Sequence, residues 1–237
     1  MADEKGYQIS FKTYHNERIK PVTFHGKEMY PLYLQLTYNR QTIYFKSYYF
    51  DLFSKSKYVI RHFSGNRKPV IKEVIEKEET LINDILKKNH TNFSLALFKE
   101  RYEFCCRDII QELESGFFYY LFVYLTDEGV DFIGTLIYDR ANQTNLNTLL
   151  RNMKKAFKPS IYDKLIENAA YYAPPYLPVF EFAENHFKER LITFPVFQWE
   201  DPAVQKSLAE FMAHKFPAYD YNTTLKQVKQ IIEKKKT

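Results

Sequence analysis

Between Tyr30 and Asn39 the residues alternate: Leu32, Leu34, Leu36 and Tyr38 fall on one side, and Tyr33, Gln35, Thr37 and Asn39 on the other. Period two belongs to an extended strand, and it gives that strand one aliphatic face and one polar face. A strand of this kind folds only where neighbours extend the sheet and another layer covers its aliphatic side. Both neighbours are at hand. Tyr7 to Tyr14 places Ile9 and Phe11 on one side, with Gln8, Ser10, Lys12 and Tyr14 on the other. Thr42 to Lys46 places Ile43 and Phe45 inward, with Thr42, Tyr44 and Lys46 outward. The short polar connection Asn39-Arg40-Gln41 predicts a hairpin between the second and third strands. Pro31 suits a strand start, where a missing N–H costs least. Residues 16–29, with Pro21 and Gly26, read as a loop, and Ser54 to Lys68 as a second loop that is polar and basic.

A helical pattern begins at Pro69, and its apolar residues Val70, Val74, Ile75, Leu81, Ile82, Ile85 and Leu86 recur at three- and four-residue steps. This helix, residues 71–88, is the natural cover for the sheet. Glu76, Glu78 and Glu79 sit among Lys72 and Lys77 and read as its solvated face. Ser94 is a good N-cap for the next helix, which carries Leu95, Phe98, Tyr102 and Cys105 at helical spacing. From there to Phe157 the chain reads as helices. The short runs Phe117–Leu125 and Asp131–Tyr138 fit a hairpin across Asp127-Glu128-Gly129 as well. Ala173-Pro174-Pro175-Tyr176-Leu177-Pro178 reads as a linker, and helices follow near 179–191, 202–214 and 222–236. The expected class is therefore α+β: a small N-terminal three-stranded antiparallel sheet packed on a helix, followed by a mainly α-helical region. The expected domains are residues 1–68, 69–172 and 173–237.

Charge is divided along the same line. Residues 1–72 hold 13 Lys+Arg against 5 Asp+Glu, a balance of +8, whereas residues 73–237 are at −3. A cationic module most often meets a polyanion, and nucleic acid is the commonest one. On the polar sheet face and its flanking loop, Lys12, Arg40, Lys46, Arg61, Arg67 and Lys68 are candidates for phosphate contacts. Gln35 and Asn39 are candidates for base edges, and Tyr14, Tyr33 and Tyr44 for flat contacts and hydroxyl bonds. The expected partner is duplex DNA. The competing reading is a protein-interaction or structural module in which the sheet face is merely solvated. In that reading the aromatic helical part, in a chain with 20 Tyr and 21 Phe, makes a homodimer or holds a protein partner.

Other chemistry finds little support. Glycine is sparse and ungrouped, so no phosphate-cradling loop is written here. The six His stand at 15, 25, 62, 90, 186 and 214, and no pair has ligand spacing, so neither a metal nor a cofactor is expected. Adjacent Cys105 and Cys106 make no disulfide framework and suit a reducing compartment. Cys106 beside Arg107 invites an activated-thiol reading, but a plain helix position explains it better. No apolar run is long enough for a bilayer. The chain reads as a cytoplasmic, membrane-free protein without an enzymatic site.

Residues 7–105 resemble the N-terminal part of the tyrosine recombinases (phage-type integrases) of Bacteroidetes mobile elements. The resemblance rests on Tyr30-Pro31-Leu32-Tyr33-Leu34-Gln35-Leu36-Thr37-Tyr38-Asn39-Arg40-Gln41-Thr42-Ile43-Tyr44-Phe45-Lys46-Ser47, then on Ile71–Lys88 and Phe93-Ser94-Leu95-Ala96-Leu97-Phe98-Lys99. It implies an arm-type DNA-binding domain built from a strand, a loop and a strand–turn–strand, joined by a helix to a core-binding region. The chain departs from that family in three ways. Its turn lacks the usual Gly, the segment after Phe50 carries no clear family signature, and no catalytic set of Tyr, Arg, Lys and His is recognisable, since His186-Phe187-Lys188-Glu189-Arg190 has the wrong spacing. The resemblance thus implies DNA binding without cleavage.

Overall fold

The computed structural model describes residues 9–62 and 65–233, with only the backbone course for 60–62 and 65–67. In chain order the N-terminal elements are β1 (Ser10–His15), β2 (Val22–Phe24), β3 (Lys27–Met29), β4 (Leu32–Tyr38), β5 (Gln41–Lys46), α1 (Tyr48–Phe53), β6 (Ile60–His62), β7 (Gly65–Arg67), α2 (Ile71–Lys88) and α3 (Leu95–Cys105). A mainly helical region follows, so the class is α+β as expected.

The sheet has the order β1-β4-β5 and both pairings are antiparallel. Asn39 and Arg40 form the whole β4–β5 connection, because Tyr38 already pairs with Gln41. Both have positive φ, 48° and 62°, as a type I′ turn requires. Asparagine tolerates that region well, which is how the hairpin forms without glycine. On the inner face Leu32, Leu34 and Leu36 are buried. The cover is broader than expected: α3 also reaches the sheet, with the Phe45 ring 4.6 Å from Tyr102 and 5.9 Å from Phe98. α2 packs beside both α1 and α3.

Two segments expected as loops contain short hairpins. β2 pairs with β3 across His25-Gly26 (φ 51° and 86°), and Phe24 stacks 5.3 Å from Phe50 of α1. Within Ser54 to Lys68, β6 pairs with β7. The chain divides into two compact units between Cys106 and Arg107, whereas the sequence reading placed boundaries after 68 and 172. The cause is packing. α2 and α3 share the sheet's core and belong with it.

The C-terminal unit consists of α4 (Ile109–Asp127), α5 (Asp131–Asp139), α6 (Leu146–Ala156), α7 (Pro159–Tyr172), α8 (Tyr176–Phe187), α9 (Val196–Trp199), α10 (Pro202–Lys215) and α11 (Tyr221–Glu233). Of the two readings for 117–138, the helical one holds. α4 is the central element, with Leu113, Phe117, Leu121 and Leu125 fully buried. Buried Asp108 caps it, accepting from the Ile110 N–H at 3.2 Å and from the Phe194 N–H at 2.9 Å. The Arg107 guanidinium donates to the carbonyls of Ile231 and Ile232 at 2.9 and 2.6 Å, holding the end of α11.

The expected linker 173–178 is instead part of this core. Ala173 and Tyr176 are buried, and Pro174 fills the space left by the missing side chain of Gly116. A Cβ there would come within 2.6 Å of Pro174 Cγ. Proline cannot swing aside, so Gly116→Ala is expected to destabilise this unit by about 1–3 kcal/mol, read as a lowered thermal midpoint.

Candidate nucleic-acid interface

Register decides which side chains share the outer sheet face. Lys12 pairs with Gln35 and Gln35 with Tyr44, forming one cross-strand row. Tyr14 pairs with Tyr33 and Tyr33 with Lys46, forming the next. Because alternate residues point to one side, both rows lie opposite the buried leucines. Six of the residues singled out from sequence are therefore neighbours on a single surface. Beyond the Lys12 row lies a third, Ser10–Thr37–Thr42, in which the Thr37 and Thr42 hydroxyls hydrogen-bond at 3.0 Å. Sequence reading did not name Ser10 or the two threonines as contacts, though the same alternation locates them.

The rows are tied together by contacts among their own members. The Tyr14 and Tyr33 rings are 6.3 Å apart and tilted, and Lys12 Nζ sits 5.7 Å from the Tyr14 ring centroid. Tyr44 is 60% exposed, enough to stack on or hydrogen-bond to a ligand. Lys46 Nζ lies 2.7 Å from Asp51 Oδ1, with both side chains about half exposed. An ion pair that open holds weakly and exchanges readily for a phosphate. Three strands span about 10 Å and the major groove about 12 Å, so the widths agree.

The remaining candidates lie elsewhere. Asn39 and Arg40 are exposed at the β4–β5 turn, just past the threonine row. Lys68 donates to the His25 carbonyl at 3.1 Å, at the tip of the β2–β3 hairpin. Arg61 and Arg67 have side chains outside the described residues.

Beneath the site lies a group that sequence reading misplaced. Glu78 is fully buried rather than solvated. Its carboxylate accepts from Ser47 Oγ, from the Tyr49 N–H at 3.0 Å and from the Tyr102 hydroxyl at 2.8 Å. The Tyr102 hydroxyl in turn accepts from the Tyr48 N–H at 3.0 Å, and Ser47 Oγ from the Phe50 N–H at 2.9 Å. Glu78 thus satisfies the open N-terminus of α1 and fastens the residue after Lys46 to α2 and α3. Burial raises its pKa to about 7, against the opposing pull of these hydrogen bonds. Burial likewise pushes the Cys106 thiol up, with Glu78 adding to the effect, so an activated thiolate has no support.

Among the described residues no group of three His, Cys, Asp or Glu is placed to hold a metal. No described helix is long and apolar enough to cross a membrane. Compared with known proteins, the chain matches no family model, no curated protein and no solved structure.

Proposed function

We propose that the N-terminal unit is a non-catalytic duplex-DNA-binding module that uses the outer face of its sheet. The observation that carries this reading is the register, which sets Lys12, Gln35 and Tyr44 beside Tyr14, Tyr33 and Lys46 on one solvent-facing surface. The +8 balance of residues 1–72 supports it, as does the resemblance to the arm-type region of mobile-element recombinases. Lys12, Lys46 and Arg40 hold phosphates and so fix position. Gln35, central in its row, presents a paired donor and acceptor to a base edge, and Asn39 does the same from the turn. The tyrosines supply flat surface and hydroxyls. In this reading the chain serves DNA recombination of a mobile element in the cytoplasm, as a binding rather than a cutting component.

The two kinds of contact separate experimentally. Arg40→Ala should weaken binding on every duplex and lower the salt slope by about one unit, the signature of one lost phosphate contact. Gln35→Ala should keep the slope and relax sequence preference, by about 1–3 kcal/mol of discrimination at one position. Equal losses from both changes on all sequences would rule out base readout. A partner-binding role for the helical part has an observation of its own and is compatible with DNA binding.

A further inference from the structure

α5 is apolar on nearly every side yet stands in solvent. From Phe132 to Tyr138 it carries no charge, and Gly134 is its one buried residue. Phe132 is 77% exposed, Leu136 52% and Ile133 39%. A helix that is apolar all round belongs inside something. Gly134 explains how α5 is held. A Cβ there would lie 3.1 Å from the Phe122 carbonyl and 3.3 Å from Leu125 Cβ, so the two helices meet at near backbone contact. The patch continues onto α4, where Tyr119, 57% exposed, is 6.2 Å from the Tyr138 ring.

We infer that this face joins two copies of the chain across a two-fold axis. Aromatic side chains bury on the order of 200 Å² each. At their observed exposures, Tyr119, Phe132, Ile133, Leu136 and Tyr138 would remove roughly 500 Å² per copy from water, or roughly 1,000 Å² in a pair. That meets the lower bound of about 1,000 Å² for a specific interface before any rim is counted, and each copy's share stands toward the upper end of the 300–600 Å², roughly, that a monomer leaves open as its largest apolar patch. Self-pairing also fits the pattern. Phe132 and Leu136 are four residues apart on the outermost stripe, so antiparallel crossing sets Phe132 of each copy against Leu136 of the other. The centre has no charge that would select an oppositely charged partner. Asp131, Asp139 and Arg140 stand at its ends as a polar rim.

Sedimentation velocity of the full chain over a concentration series tests this. Wild type should approach twice the chain mass. Phe132→Glu and Leu136→Glu, each at an exposed position, should each bring it back to the single-chain mass with unchanged helical circular dichroism. Tyr172→Glu, exposed on α7, should leave the dimer intact. Wild type at single-chain mass throughout would overturn the inference and point to a different occupant. A dimer that survives both glutamate substitutions would overturn it too, as would one broken by Tyr172→Glu alone.

Discussion

Glu78→Ala is expected to cost the N-terminal unit about 3 kcal/mol, the combined effect of donors left unsatisfied and of the cavity left behind. Ser47 Oγ, the Tyr49 N–H and the Tyr102 hydroxyl all lose their acceptor in a site without water access. Relief of the buried carboxylate's desolvation offsets part of this, which keeps the figure from being larger. Glu78→Gln is the informative control. Its amide oxygen still serves Ser47 and Tyr49, while its NH₂ group faces the Tyr102 hydroxyl, so the expected loss is about 1 kcal/mol. Urea midpoints followed by circular dichroism measure both variants. If Glu78→Ala were neutral, the network would not be holding α1, α2 and α3 together.

Stability should also fall as pH rises through the range where Glu78 titrates. Its carboxyl titrates near 7 when folded and near 4.5 ordinarily. Below 4.5 both states are protonated and this contribution is complete. Between 4.5 and 7 the folded state keeps a proton that the unfolded state has released, so each rise in pH favours unfolding. Across the full window the loss is on the order of 3 kcal/mol, at 1.36 kcal/mol per pH unit of difference. Glu78→Gln removes the titrating group. The midpoint difference between pH 5 and pH 8 should therefore be large in wild type and much smaller in the variant. Equal pH dependence in the two would show that Glu78 is ionised in both states.

The sheet was legible because alternation is local: Leu32, Leu34 and Leu36 announce their own face, and the pairing follows from one short turn. α3 was equally legible, since Ser94 stands at its N-cap and accepts from the Leu97 N–H at 3.1 Å. Strands of three residues carry no period, which is why β2–β3 and β6–β7 read as loop; His25-Gly26 was the one turn signal for the first of them. α1 is a short aromatic run with no period either.

Glu78 is a different kind of miss. It lies four residues after Val74 and three before Leu81, squarely on the buried stripe, so its position was readable. Its residue type argued for solvent, and the partners that make burial tolerable, Ser47 and Tyr102, are distant in sequence. Six of the candidate residues could be assigned to one sheet face because register depends on the same alternation as the fold. Lys68 was not placed, because its neighbour is set by a hairpin the sequence hid. α5 differs again: its short apolar run fitted helix or hairpin alike in the sequence, and it forms a helix whose apolar side chains stand exposed.

The measurement that bears most directly on the proposed role is the affinity of the intact chain for duplex DNA across a salt series. Binding at low salt that weakens steeply as salt rises, with the slope reduced when Lys12 or Arg40 becomes alanine, is the predicted result. No binding at low salt, or binding indifferent to those two residues, would contradict a DNA-binding sheet face.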